Sequence, residues 1–130
     1  MEDPKAKKLV FFYEKYEAVS GALIFYLRLA QFIAHHSDYE VFYVNYPNKK
    51  LEEIYFDPML HYHDLKSCDF SEFEGADFVV PINYLFFLIE RTKNIQKGRI
   101  LLYDWHPELV RHLSNHFSDR LRDMDALLGF

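Results

Sequence analysis

The sequence is poor in the residues that mark disulfide-rich, fibrous or disordered proteins. Its 130 residues include one cysteine, four glycines and five prolines. Cys68 alone cannot form an internal disulfide, and the chain has no cysteine-based zinc signature. With 50% hydrophobic residues, the composition excludes collagen-like structure and disorder. It predicts a globular protein of a reducing compartment, with a thiol that is inert rather than nucleophilic.

The sequence also lacks a long hydrophobic run. The longest, residues 78–89, contains Pro81 and Asn83 and falls well short of the roughly 20 residues that a membrane span needs. Charged residues interrupt the apolar stretch near the N-terminus before the core of a signal peptide could form. These absences predict a cytoplasmic protein.

Basic residues are in deficit, with 15 Lys and Arg against 20 Asp and Glu and a formal net charge of -5. The acidic excess lies mainly in residues 51–90. Such a chain attracts nucleic acid or an anionic lipid surface only weakly, so we expect no nucleic-acid partner. Its length predicts one domain rather than two complete domains.

The sequence does contain short apolar runs, each bounded by charged residues or turns. They are dense in β-branched and aromatic residues, a pattern typical of strands buried on both faces. The runs lie at residues 9–13, 39–46, 77–80 and 99–103.

Between these runs lie segments whose apolar residues recur at helical spacing. From Gly21 to residue 34 the apolar positions cover most of the circumference, which predicts an almost wholly buried helix with one polar stripe, Arg28, Gln31 and His35. Further helices are predicted from Tyr84 toward a stop at Gly98, and over residues 108–117. Residues 51–76 fit either a small hairpin or one short parallel strand with an extension.

The alternation of strands and helices predicts an α/β fold, a three-layer Rossmann-like domain with a mostly parallel sheet. We expect a single domain over residues 1–130, with its core at about 8–117 and a tail at 118–130. Ligands of such sheets bind beyond the carboxyl ends of the strands. That rule selects the loops at residues 14–21, 81–84 and 104–107.

The first of these loops ends with Ser20 and Gly21 at a helix N-terminus. Backbone N–H groups and the helix dipole favour an anion there, and glycine permits the close approach of a phosphate. Against this interpretation, Glu14 and Glu17 would repel a diphosphate, and neither a P-loop lysine nor a G-x-G-x-x-G pattern is present. Ser20 as a simple helix cap is the alternative.

The last loop places Asp104, Trp105 and His106 after a strand and before a helix. Histidine carries protons or donates hydrogen bonds to sugars near neutral pH, and the indole offers a face for stacking on a sugar ring. We therefore expect Asp104 and His106 to be catalytic, and Trp105, with Asn83 in the 81–84 loop, to bind substrate. In the alternative, Asp104 is a turn or cap residue and Trp105 a packing anchor.

For two histidine pairs and one group of cations, we favour an ordinary structural role over a binding site. His61 and His63 would share a strand face, and His112 and His116 a helix face, but neither pair completes a metal-ligand set. We expect no metal site. We interpret the cations near the end of the second predicted helix as a solvated helix end, where they complement the helix dipole, and not as a patch that contacts anionic lipid. They are Arg91, Lys93, Lys97 and Arg99.

Several stretches together resemble the N-terminal half of GT-B glycosyltransferases, most closely the family 4 type of bacterial surface-polysaccharide synthesis. The resemblance covers about residues 8–117. It is carried by residues 8–13, the helix from Ser20 and Gly21 into residues 27–30, and residues 39–44, 75–80 and 99–106.

The resemblance implies one half of a two-domain cleft, in which the N-terminal domain receives the acceptor and the C-terminal domain holds the nucleotide-sugar. It implies transfer of a sugar from a nucleotide-sugar donor to a hydroxyl of a carbohydrate or lipid-linked acceptor, without a cofactor or an obligatory metal. The loop ending at Ser20 and Gly21 would approach the donor phosphates, and His106 the transferred sugar. Peripheral contact with the inner face of the membrane is compatible with this implied role.

Two departures from that family pattern bear on activity. Ser20 and Gly21 stand where the family has paired glycines, and the chain has no pair of glutamates separated by seven residues, a common donor-domain signature. We therefore expect the donor-binding domain to be absent, supplied in cis or in trans, and this chain alone to be inactive. The alternative is a non-catalytic Rossmann-like interaction module whose Tyr and Phe surplus forms a protein interface.

Overall fold

The computed structural model describes residues 7–14, 21–47 and 49–103. Helices and strands alternate along them, with short 3₁₀ turns at Phe70–Phe73 and Ile82–Tyr84. In chain order the elements are β1 (Lys8–Phe12), α1 (Gly21–His36), β2 (Glu40–Asn45), α2 (Lys49–Ile54), β3 (Leu60–Asp64), β4 (Asp77–Pro81), α3 (Leu85–Arg91) and β5 (Ile100–Tyr103).

The strands form one sheet in the order β3-β2-β1-β4-β5. Every neighbouring pair in it is parallel, and Val10 in the central strand pairs with Phe42 on one side and Phe78 on the other. The predicted α/β, Rossmann-like fold is confirmed. In the ambiguous region, the short parallel strand is correct and the hairpin is wrong, because β3 pairs in parallel with β2.

The core lies on both faces of this sheet, because successive side chains of a strand point to opposite sides. On one face, Phe11 meets Tyr26 of α1 edge to face, with ring centroids 5.3 Å apart. On the other face, Phe42 packs on Phe73 of the first 3₁₀ turn at 5.1 Å. Burial on both sides explains why the central strands read as continuous apolar runs.

The prediction that α1 is almost wholly buried is wrong. Phe25 and Phe32 are each 60% exposed, whereas Gln31, predicted to be in the polar stripe, is only 7% exposed. One side of α1 packs on the sheet, and the described residues leave its opposite side open to solvent. Gln31 is buried because its amide donates hydrogen bonds to the Tyr55 carbonyl and the Tyr62 hydroxyl.

The helix predicted to run toward Gly98 is shorter, because α3 ends at Arg91. Thr92 follows it, buried, with its hydroxyl donating to the Leu88 carbonyl at 2.6 Å. Gly98 is not a helix stop. Its N–H donates to the Ala76 carbonyl at 2.8 Å, and a Cβ there would collide with the Asp77 carboxylate, so a close backbone approach requires glycine.

Two further predictions concern the C-terminal part of the chain. The helix at residues 108–117 and the tail at 118–130 lie outside the described residues. Among those that are described, no helix combines the length and apolar character needed to cross a membrane.

Candidate functional site at the carboxyl edge of the sheet

The strand order changes direction between β1 and β4. From β1 the chain builds outward through β2 to β3, and then returns to place β4 on the other side of β1. Open parallel sheets bind their ligands at such a switch point, beyond the carboxyl ends of the two strands. The predicted loops at residues 14–21 and 81–84 start here, so the fold brings two of the three predicted loops to one place.

Tyrosines pack against one another at this switch point. Tyr13, after β1, packs edge to face on Tyr84, after β4, with ring centroids 4.9 Å apart. Tyr26 lies against Tyr13 at 5.7 Å. Its hydroxyl is 2.8 Å from the Phe12 carbonyl oxygen and 2.9 Å from that of Val79, and donates its one hydrogen between them.

The Tyr26 hydroxyl is a structural group rather than an acid. Burial, together with the neighbouring Tyr43, raises the pKa of Tyr26 well above its ordinary value of 10.0. The phenol therefore stays neutral at physiological pH and joins the end of β1, at Phe12, to the middle of β4, at Val79. It ties together the two strands from whose carboxyl ends the candidate loops emerge.

An ion pair joins the loop after β1 to α3. The Arg91 guanidinium donates two hydrogen bonds to the Glu14 carboxylate, at 2.6 and 2.7 Å. Hydrogen bonding of the guanidinium to Glu14 is the main cause that raises the pKa of Arg91. Since Arg91 compensates the charge of Glu14, the repulsion of a diphosphate expected from Glu14 is reduced.

Of the predicted site residues, two lie in the described part of the chain. Gly21 is the first residue of α1, as the predicted helix start requires. Asn83 is exposed in the turn after β4, between buried Ile82 and Tyr84, so its side chain is available at the carboxyl edge. The others, Ser20, Asp104, Trp105 and His106, lie outside the described residues, as does Glu17.

Sequence reasoning missed Tyr13 and the pairing of Glu14 with Arg91 at this edge, although the selected loops contain Glu14 and Tyr84. Tyr13 lies in an apolar run, where aromatic residues ordinarily signal core. The ion pair joins residues 77 positions apart, so no local pattern reveals it. Only the order of the strands, which brings β1 beside β4, could have suggested these contacts.

The histidines of β3 share one face, as predicted. His61 stacks on Phe42 at 4.8 Å, and His63 meets the same ring edge to face at 5.2 Å. Their nearest carboxylates differ, with Glu40 3.4 Å from His61 and Glu72 3.2 Å from His63. Within the described ranges, no group of three or more His, Cys, Asp or Glu side chains could hold a metal ion. The second pair, His112 and His116, lies outside those ranges.

The single cysteine has the environment of an unreactive thiol. Cys68 is partly buried, and burial, reinforced by the carboxylates of Glu72 and Asp69, raises its pKa to about 11. The thiolate is the nucleophilic form, so very little of it exists near neutral pH. This environment supports the predicted inert thiol.

The comparisons with known proteins add no functional assignment to this geometry. No protein-family model, curated protein or solved structure matches the chain. What remains to indicate a function is the fold and the residues at its carboxyl edge.

Proposed function

We propose that this chain is the acceptor-side domain of a glycosyltransferase. Together with a donor-binding domain, in cis or in trans, it would transfer a sugar from a nucleotide-sugar to an acceptor hydroxyl. The observation that carries the proposal is the switch point between β1 and β4 in an all-parallel sheet. That arrangement places Gly21 at the start of the helix after β1 and exposed Asn83 directly after β4.

Each predicted site residue has a distinct role in this proposal. The backbone amides at Ser20 and Gly21 stabilise the departing diphosphate, because a helix N-terminus presents unpaired N–H groups to an anion. Trp105 stacks on a sugar ring, and Asn83 hydrogen-bonds to acceptor hydroxyls. His106 exchanges a proton with the reacting hydroxyl, and Asp104 orients its imidazole.

A single lobe with these groups should bind an acceptor but not turn over. Positioning two reactants against each other supplies a large part of the rate enhancement of a transfer reaction. Without the opposing domain, the donor lacks most of its contacts. We therefore expect this chain alone to bind nucleotide-sugar weakly and to show no transfer.

Titration of the 130-residue chain tests both halves of this expectation. Isothermal titration with UDP-glucose should show little heat. Amide spectra recorded with octyl β-glucoside, below its critical micelle concentration, should change at Gly21, Asn83 and Tyr84. Asn83→Ala should weaken this response, whereas Asn94→Ala, an exposed asparagine after α3, should leave it unchanged.

Two results would contradict the proposal. Tight, stoichiometric binding of UDP-glucose without any partner would contradict the acceptor-side assignment. Absence of any glucoside response at the carboxyl edge would instead favour the non-catalytic interaction module.

A further inference from the structure

A row of aromatic rings leads from the switch point to the protein surface. Tyr13, buried after β1, packs on buried Tyr84, and Tyr84 in turn lies against Phe87 of α3, with ring centroids 6.4 Å apart. Phe87 is 53% exposed, whereas Leu85 and Leu88 on the same helix are buried in the core. The row therefore ends in a ring that a ligand can reach.

Phe87 lies close to the carboxyl edge of the sheet. The short 3₁₀ turn Ile82–Tyr84 follows β4 directly, and α3 begins immediately after it at Leu85. Phe87 is thus in the first turn of α3. Because the side chains of a helix point back toward its start, the Phe87 ring leans toward the edge at which the candidate loops emerge.

Exposed Asn83 lies beside this ring. Four positions separate it from Phe87 along consecutive helical turns, a spacing that brings two side chains together on one side of a helix. The amide of Asn83 offers both donors and an acceptor, which suits hydroxyl groups. We call Asn83 and Phe87 together the α3 platform.

The charges next to the α3 platform are compensated. The two charged residues of α3 are Glu90 and Arg91. Glu90 accepts a hydrogen bond from Lys93 at 2.8 Å, and Arg91 is engaged by Glu14 in a bidentate pair. The platform therefore offers an aromatic face and an amide in surroundings that favour neither an anion nor a cation.

We propose that the α3 platform binds the acceptor as a neutral pyranoside. One apolar face of the sugar would stack on the Phe87 ring, and its hydroxyls would hydrogen-bond to Asn83. The face of an aromatic ring is electron-rich and attracts the polarised C–H groups of a sugar. This inference rests on the proposed function, to which it adds Phe87 as a binding residue and the chemical class of the acceptor.

The chemistry of the platform favours this ligand over two others. A sugar acid or a phosphate needs an uncompensated cation, but the neighbouring Arg91 is already paired with Glu14. An apolar protein surface would cover the Phe87 ring and leave the Asn83 amide without its hydration. A pyranoside, with a C–H face and a rim of hydroxyls, matches both side chains.

Nuclear magnetic resonance of the full chain with methyl β-D-glucopyranoside tests the proposal. This probe has no long alkyl chain that could bind to Phe87 by itself. Amide signals of Asn83, Tyr84 and Phe87 should shift on titration. Saturation transferred from the protein should reach the hydrogens on one face of the sugar ring more strongly than those on the other. Methyl β-D-glucuronide should bind more weakly, because no free cation compensates its carboxylate and the chain has a net charge of -5.

Substitutions of Phe87 separate the aromatic face from mere bulk. Phe87→Ser should lower the affinity for the methyl glucoside by about fivefold, whereas Phe87→Tyr, which keeps the ring, should stay within about twofold of wild type. Phe32→Ser removes a phenylalanine that is 60% exposed near the end of α1, and it should change nothing. Circular dichroism checks the fold of each variant. If Phe87→Ser does not fold, the one-sided saturation of the sugar carries the test.

Several results would overturn this inference and leave the acceptor-side assignment standing. They are binding that Phe87→Ser does not weaken, equal saturation of both faces of the sugar, and tighter binding of the glucuronide. Silence toward the methyl glucoside, with the response to octyl β-glucoside retained, would do the same. If neither glucoside produces a response at the carboxyl edge, both proposals fall. A dimer, seen by analytical ultracentrifugation, that Phe87→Ser abolishes while no glucoside binds would assign the ring to a protein contact instead.

Discussion

At the scale of single residues, Tyr26 ties together β1 and β4, the two strands that define the candidate site. Its fully buried hydroxyl contacts backbone carbonyls of β1 and β4. Tyr26→Phe keeps the ring and leaves those carbonyls without this donor, so we expect the free energy of unfolding to fall by about 1–3 kcal/mol. Urea denaturation followed by circular dichroism measures the change.

Tyr55→Phe is the matched control for Tyr26→Phe. The Tyr55 ring is half-buried, and among the described residues its hydroxyl has no hydrogen-bond partner. We expect its loss to leave the free energy of unfolding nearly unchanged. Equal effects of the two substitutions would show that the Tyr26 hydroxyl does not bridge the strands.

Asp77, at the amino edge of the sheet, should give stability a measurable pH dependence. Burial alone would raise the pKa of its carboxyl, but hydrogen bonds from the Arg99 N–H, the Tyr39 hydroxyl and Lys7 outweigh burial and lower that pKa. A lowered folded-state pKa stabilises the protein above the unfolded value, and the stabilisation is lost as pH falls through the folded value. Wild type should therefore lose this contribution below about pH 4.

Urea unfolding of wild type and Asp77→Asn across that pH range tests the prediction. At pH 7 the variant should be less stable by about 2 kcal/mol, because charged hydrogen bonds are lost. The difference should shrink as the pH falls below about 4, since protonation removes the same charge from wild type. Asp38→Asn, at an exposed position before β2, is the control. A difference that stays constant with pH would contradict a lowered pKa for Asp77.

At the scale of elements, the Glu14–Arg91 pair ties the loop after β1 to α3. The Glu14 side chain is only 9% exposed, and the geometry is bidentate. Arg91→Gln would leave that carboxylate poorly compensated, so we expect a loss of about 1 kcal/mol in the free energy of unfolding. Lys93→Gln, which breaks the exposed pair with Glu90 on the same helix, should have no measurable effect.

A double-mutant cycle with Glu14→Gln separates the pair from other contributions. If the pair acts as described, the effects of Glu14→Gln and Arg91→Gln should be non-additive. Strict additivity would show that the two groups do not stabilise each other.

The sequence predicted the strands well because burial on both faces produces an unbroken apolar run. It failed where tertiary contacts decide the outcome. Phe32 looks like core by hydropathy, but its orientation depends on which side of α1 meets the sheet. Gly98 looks like a helix stop, yet the glycine is needed because its backbone approaches Asp77.

The candidate site was predictable only in outline. Gly21 and Asn83 lie where the sequence placed them relative to a helix start and a strand end, and the choice of the three loops as a ligand site stays a prediction. The long-range contact between Glu14 and Arg91 has no local signature, since it exists only because the strand order brings their elements together. The roles of Ser20, Asp104, Trp105 and His106 stay predictions.

At the scale of the whole molecule, the parallel sheet presents its carboxyl edge as one wall of a proposed cleft. Its central strand pairs residues far apart in sequence, as Val10 with Phe78, so the loops at the switch point depend on the complete sheet. Substitutions that weaken the sheet would reduce function indirectly. A test of catalysis therefore has to separate turnover from folding.

His106→Ala in the proposed enzyme, in which a donor-binding domain would complete this chain, provides that test. If His106 moves the proton of the reacting hydroxyl, kcat should fall by about a hundredfold or more, with the unfolding midpoint unchanged. Asn83→Ala should chiefly raise KM for the acceptor, because it removes a binding contact, and His116→Ala is the control for loss of an imidazole. Release of nucleoside diphosphate, measured against acceptor concentration, gives both constants. Unchanged turnover in a folded His106→Ala enzyme would eliminate its catalytic role, because no other change in that variant could restore the lost proton transfer.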